Sequence, residues 1–209
     1  MPHNPDRLYQ GGYLPHCEGG GRPQLITTRL ADSLPKSAYR RILAKAEDEA
    51  ERRALAQRYL DGGRGACVLR HAEAASIIRE ALQFYDGDRY TLVDWVVMPN
   101  HIHFVYDNPT VPVGKICEDL KGYTASAINK VLGRSGKLWQ RDYFDRYARD
   151  EGHLSNMCFY TVLNPVHAGL VDDPLDWPYS SVHDYPPKFK DDLRRWYRAW
   201  RRRFWNAPR

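Results

Sequence analysis

A chain of 209 residues, 43% of them hydrophobic, can fill one good core but is short for two full domains. Four cysteines, Cys17, Cys67, Cys117 and Cys158, lie far apart with no C-x-x-C pair, which excludes a zinc knuckle or compact disulfide framework and fits a reduced, cytoplasmic protein. The net charge of +5 and pI near 9.0 favour polyanionic partners, whereas no apolar run approaches the roughly 18 residues that span a bilayer and the polar start lacks a signal peptide's apolar stretch.

The first 23 residues, rich in Gly, Pro and polar side chains, read as a loosely held arm. Leu25 to Leu30 forms a short strand. Ser37 to about Leu60 is rich in Ala, Leu, Arg and Glu and reads as one helix, stopped by Asp61-Gly62-Gly63; its mostly charged face makes it peripheral. A second helix carries Ala74, Ile77, Ile78, Ala81, Leu82 and Tyr85 on one stripe and packs on the sheet. Tyr90 to Met98 and His101 to Asp107 are strands joined through Pro99-Asn100 as a hairpin. Val113 to Leu132 returns to helix and stops at Gly133. LWQRDYFDRYA reads ambiguously, with strand character, and Asp150 to Leu163 is a helix that Pro165 ends or kinks. The order strand, helix, strand, strand, helix, strand, helix implies an α+β, ferredoxin-like antiparallel sheet with helices on one face.

Within the hairpin, MPNHIHFVYD sets His101 and His103 on one strand face about 7 Å apart, with Ile102 pointing the other way. That spacing suits a single metal ion, and equally suits two histidines lining a solvated sheet face. From Lys188 onward the tail carries nine Lys/Arg against two Asp, interleaved with Trp196, Tyr197, Trp200, Phe204 and Trp205. Cations beside flat rings neutralise phosphates and stack on bases. The same pattern also makes an amphipathic helix with its aromatic stripe on the core, and the two readings are compatible.

Taken together, MPNHIH, LKGYTASAIN, LWQRDYFDRYA, CFYTVLNPVHAGLV and DWPYSS, in this order and spacing, resemble the REP-associated tyrosine transposases, HUH-type enzymes acting on single-stranded DNA. The resemblance runs from about Gln24 to Ser181 and takes in TTRLADSLP and the Asp61-Gly-Gly turn. It implies three parts: an arm over 1–23, a transposase domain over 24–182 and a basic aromatic tail over 183–209. In the family pattern the nucleophile lies four residues ahead of the Asn of the Asn-Pro pair, which is Tyr160 here. On a helix Tyr160 and Asn164 differ by about 40° and about 6 Å and share a face.

The resemblance further implies that His101, His103 and Asn164 bind a divalent ion, Mg²⁺ or Mn²⁺. It also implies that Tyr160 cleaves and rejoins DNA through a 5′-phosphotyrosine, at hairpins of palindromic repeats. A phosphodiester resists attack, and a divalent ion on a non-bridging oxygen relieves that resistance. A phenol with reference pKa of about 10 is barely ionised at neutral pH and needs such help. Lys121, Arg141 and Arg146 are candidates to hold the DNA backbone, with Trp139 and Tyr143 to stack on bases. His153 and His167 flank the tyrosine helix and are candidates to tune it; His16 and His71 read as incidental. A domesticated hairpin-binding protein without cleavage is the alternative, and both monomer and homodimer are compatible with one tyrosine per chain. A metallohydrolase reading fails on ligand count and leaves Tyr160 unexplained.

Overall fold

The computed structural model describes residues 8–10, 15–17 and 19–204. Two short strands, β1 (Leu8–Gln10) and β2 (Pro15–Cys17), pair antiparallel. Then follow β3 (Gln24–Arg29), α1 (Lys36–Lys45), α2 (Glu49–Asp61), α3 (Ala72–Phe84), β4 (Thr91–Val97), β5 (His101–Asp107), α4 (Val113–Val131), β6 (Phe144–Tyr147), α5 (Glu151–His167) and α6 (Pro187–Phe204). The four-stranded sheet has the order β4-β5-β3-β6 and is antiparallel throughout, the expected ferredoxin-like arrangement. Among the described residues no helix is long and apolar enough to cross a membrane.

Strand alternation sends Ile26, Trp95, Val97, Ile102, Phe104 and Tyr106 to one face, where they meet Ile78 and Leu82 of α3 and Ile116, Leu120 and Ile128 of α4. The opposite face carries Leu25, His101, His103 and Val105. Here α5 packs, with Met157 against Val105. Helices therefore cover both faces rather than one, and the histidine face lies beneath the tyrosine helix.

Three expectations about elements change. The helix foreseen from Ser37 to Leu60 is two. The backbone turns extended at Ala46, and Asp48 then caps α2, its side chain accepting from the Glu51 amide while the Glu51 carboxylate reaches back to the Glu47 amide at 2.8 Å. Nor does Pro165 end α5, which runs through it to His167. The stop is Gly169 at φ 68, where the Leu170 amide donates to the Pro165 carbonyl and the Gly169 amide to that of Val166, a Schellman closure that positive φ permits. Finally the arm is not loose at His16. That ring is 2% exposed, bonded to Asp145 through Nδ1 (2.8 Å) and Asp142 through Nε2 (2.7 Å), and stacked on Tyr143 with centroids 4.1 Å apart.

After α5 the chain returns to the free edge of β4. Val97 N–H donates to the Tyr179 carbonyl, and the Ser181 hydroxyl and Tyr185 phenol both donate to the buried Asp94 carboxylate at 2.7 Å. Helix α6 then lies on α5. Leu193 and Tyr197 join Val162, Leu163 and Val166, and Trp196 stacks on Phe159 with centroids 4.6 Å apart. The amphipathic-helix reading of the tail thus holds for Leu193, Trp196 and Tyr197. The side chains of Trp200 and Phe204, and Trp205 itself, lie outside the described residues.

Candidate active site

His101 and His103 are fully buried, their ring centroids 4.8 Å apart. Burial pushes the protonation of His101 down to about 3, where the neighbouring Asn164 amide opposes it, and burial followed by the charge of His101 pushes that of His103 well below the usual range. Both imidazoles are therefore neutral. The Asn100 amide nitrogen donates to the carbonyls of Leu60 (3.1 Å) and Arg64 (2.9 Å), so its oxygen is left to accept from His101 Nδ1 at 2.7 Å. That fixes the tautomer and leaves a lone pair on Nε2, the arrangement in which a histidine accepts a metal. Thr27 Oγ1 stands 2.7 Å from His103 Nδ1 and orients the second ring.

Helix α5 brings Tyr160 and Asn164 over this pair, one turn apart as the sequence spacing requires. The Tyr160 ring lies edge-on to His103 at 5.5 Å between centroids, and the His167 ring lies 6.4 Å from it. Burial, followed by the charge of Asp61, pushes the Tyr160 phenol above its ordinary value, with the Asn164 amide pulling the other way. Asn164 is 1% exposed and sits beside His101 and Tyr160, yet neither its amide oxygen nor its nitrogen makes a well-formed hydrogen bond. An orphaned buried amide is costly. A cation held between the Asn164 oxygen and the Nε2 atoms of the two histidines would remove that cost, so the residues present fit the expected divalent ion. Among the described residues no three His, Cys, Asp or Glu side chains stand ready to hold a metal.

Helix α2, expected to be peripheral, forms the opposite wall. The Gln57 side-chain nitrogen lies 3.2 Å from His101 Nε2 and 3.4 Å from His103 Nε2 and donates to Asp61 Oδ1 at 2.6 Å. Asp61 Oδ1 is 3.9 Å from His101 Nε2. Burial raises the Asp61 carboxyl to about 6, against the hydrogen bond from Gln57. From this point a cavity of about 840 Å³ opens between α2, β6 and α5, lined by Gln57, Met157 and Tyr160 at its floor and by Arg53, Arg146 and Arg149. The guanidinium of Arg146 is pushed down by burial and then by repulsion from Arg53 and Arg149, so the three cations converge.

The family model described as "Transposase IS200 like" matches residues 69–160, a stretch that holds both histidines and ends on the tyrosine. Over 98 residues the chain is 29% identical to a protein of Haemophilus influenzae assigned to the REP-associated tyrosine transposases, covering 42% of this chain and 56% of that one. Over 110 residues it is 26% identical to a REP-associated tyrosine transposase of Escherichia coli K12, covering 51% of this chain and 64% of that one. The chain is similar to the REP-associated tyrosine transposases. The aligned stretches span less than two thirds of either relative. The fold agrees: a solved REP-associated tyrosine transposase, itself bound to a REP hairpin, superposes with a TM-score of 0.55 at 18% identity over 89% of each chain.

Measured against the residues foreseen for such a transposase, the structure gathers His101, His103, Tyr160 and Asn164 into one site and places Arg146 on the cavity wall. His153 also lines the cavity, its Nδ1 accepting from the Arg149 amide at 3.2 Å. Trp139 and Tyr143 are corrected, because both rings are buried. Trp139 is 4% exposed and donates its indole N–H to Thr124 Oγ1 at 2.8 Å, and Tyr143 is covered by His16. Lys121 likewise serves the fold: its ammonium donates to the Arg141 and Asp142 carbonyls at 3.1 Å and lies 5.3 Å over the Tyr143 ring. Arg141 is exposed and is not among the cavity residues. Sequence reasoning missed Asn100, Thr27, Gln57, Asp61, Arg53 and Arg149. Only Asn100 carried a local signal, as a polar turn residue directly before a candidate ligand.

Proposed function

We propose that this chain is a single-strand DNA endonuclease and strand transferase that cuts and rejoins DNA at repeat hairpins through a 5′-phosphotyrosine on Tyr160. The observation that carries the reading is the placement of Tyr160: it faces two neutral imidazoles and an unpartnered amide at the floor of an arginine-lined cavity. The REP hairpin bound by the structural neighbour supplies the class of substrate. His101, His103 and Asn164 would hold Mg²⁺ or Mn²⁺, whose chemistry there is neutralisation of a non-bridging phosphate oxygen.

The residues of the chain account for the rest. Arg53, Arg146 and Arg149 grip the backbone phosphates and lead the strand to the floor. Tyr160 Oη forms a bond to phosphorus as the bond to the 3′ oxygen breaks; the phenol loses its proton and the departing 3′ oxygen gains one. The phosphotyrosine keeps the energy of the broken bond, so a 3′ hydroxyl can reverse the step and reseal the strand without ATP.

The test incubates the protein with labelled hairpin oligonucleotides from repeats beside its gene, with Mg²⁺ or Mn²⁺. A denaturing gel should show a covalent adduct that Tyr160→Phe and His101→Ala both abolish. Tight hairpin binding with no adduct on any substrate would replace this reading with that of a hairpin-binding protein.

A further inference from the structure

Three atoms face one place between α2 and β5: Nε2 of His101 and Oδ1 of Asp61, both acceptors, and Nε2 of His103, an acceptor in the tautomer whose Nδ1 donates to Thr27 Oγ1. The Gln57 side-chain nitrogen holds that place, at 3.2, 3.4 and 2.6 Å from them. An amide –NH₂ has two protons, one fewer than the acceptors around it. A group of partial positive charge thus occupies a focus that asks for more positive charge than it carries. We propose that Asp61 is an anionic ligand of the divalent ion, and that the Gln57 nitrogen marks where this ion binds. This rests on the metal site of the proposed function and extends it to a helix outside the segment matched by the family model.

Electrostatics favours the assignment. Two neutral imidazoles and an amide bring no negative charge, and a dication among fully buried rings is expensive unless an anion meets it. Asp61 supplies that anion 3.9 Å from His101 Nε2, and Mg²⁺ and Mn²⁺ both prefer carboxylate oxygen. The backbone holds Asp61 in register with the histidines. Its neighbours Leu60 and Arg64 offer their carbonyls to the Asn100 amide, and Asn100 in turn orients His101. One side chain therefore ties the end of α2 to the start of β5. The Gln57 amide stands between the carboxylate and the imidazoles, within 3.4 Å of all three.

The experiment titrates Mn²⁺ into the full chain without DNA and follows the free ion by electron paramagnetic resonance, with metal-free melting as a control. Asp61→Asn keeps an oxygen to accept from Gln57 and removes only the charge. It should weaken Mn²⁺ binding by about tenfold or more, with Asp61→Glu recovering part of the loss and the metal-free melting temperature little changed. Wild-type affinity in Asp61→Asn, alongside loss of binding in His101→Ala, would overturn the assignment and leave the histidine site standing. A lower metal-free melting temperature with unchanged affinity would also overturn it, giving Asp61 a structural role. Failure of the wild-type chain to bind Mn²⁺ would remove the metal reading itself.

Discussion

Asn100 decides which nitrogen of His101 is available for chemistry. Its two N–H bonds are committed to Leu60 and Arg64, so its oxygen accepts from Nδ1 and the lone pair remains on Nε2. Replacing it with alanine removes the orienting acceptor and leaves two backbone carbonyls unmatched. We expect Asn100→Ala to lower Mn²⁺ affinity about 10–100-fold and to cost about 1–3 kcal/mol of stability, measured by metal titration and urea unfolding. Unchanged affinity would mean that the His101 tautomer is set elsewhere. The residues legible in the sequence are those whose relation is fixed by the covalent chain. His101 and His103 share a face because strand side chains alternate, and Tyr160 and Asn164 because a helix repeats nearly every four residues. Gln57 lies 44 residues from His101, and only tertiary packing brings them together.

At the level of elements, structure departs from sequence expectation where a local rule meets a competing one. Continuous helix propensity from Ser37 to Leu60 was overridden by the Asp48 cap, and Pro165 was tolerated near the end of α5 because Gly169 provides the stop a few residues on. The charged α2 gave no sign that Gln57 and Asp61, one turn apart, face inward. No partner for the arm is visible near His16 in the sequence, because Asp142 and Asp145 lie far from it along the chain. Burial disfavours the charged His16 ring, but the two carboxylates outweigh it and raise its pKa from 6.5 to about 9. A pKa higher in the folded than the unfolded state contributes stability that is full below pH 6.5 and lost by about pH 9. The melting temperature of the wild type should therefore fall more steeply across that window than that of His16→Gln. Parallel curves from thermal scans at closely spaced pH values would show that the His16 contacts do not couple to folding.

The molecule as a whole divides labour between the two faces of one sheet. Apolar strand residues facing α3 and α4 build the main core, which frees the other face to bury polar groups that a core would exclude. Helix α6 stacks Trp196 on Phe159, the neighbour of Tyr160, and so braces α5. The net charge of +5 says little by itself, since Arg194 is paired with Asp173 at 2.9 Å. Arg53, Arg146 and Arg149 all line one cavity, and Arg146 is repelled by the other two. A polyanion running along that wall would relieve the repulsion and release counterions. Single-strand binding loses about 0.7 from its log-affinity against log-salt slope for each phosphate contact removed. The triple change to glutamine should then lower the slope by about 2 and weaken every single-stranded sequence alike. Arg79→Gln, on α3 against the far face, should leave the slope as it is. Fluorescence anisotropy across a salt series reads both, and an unaltered slope in the triple variant would move the DNA path away from this cavity.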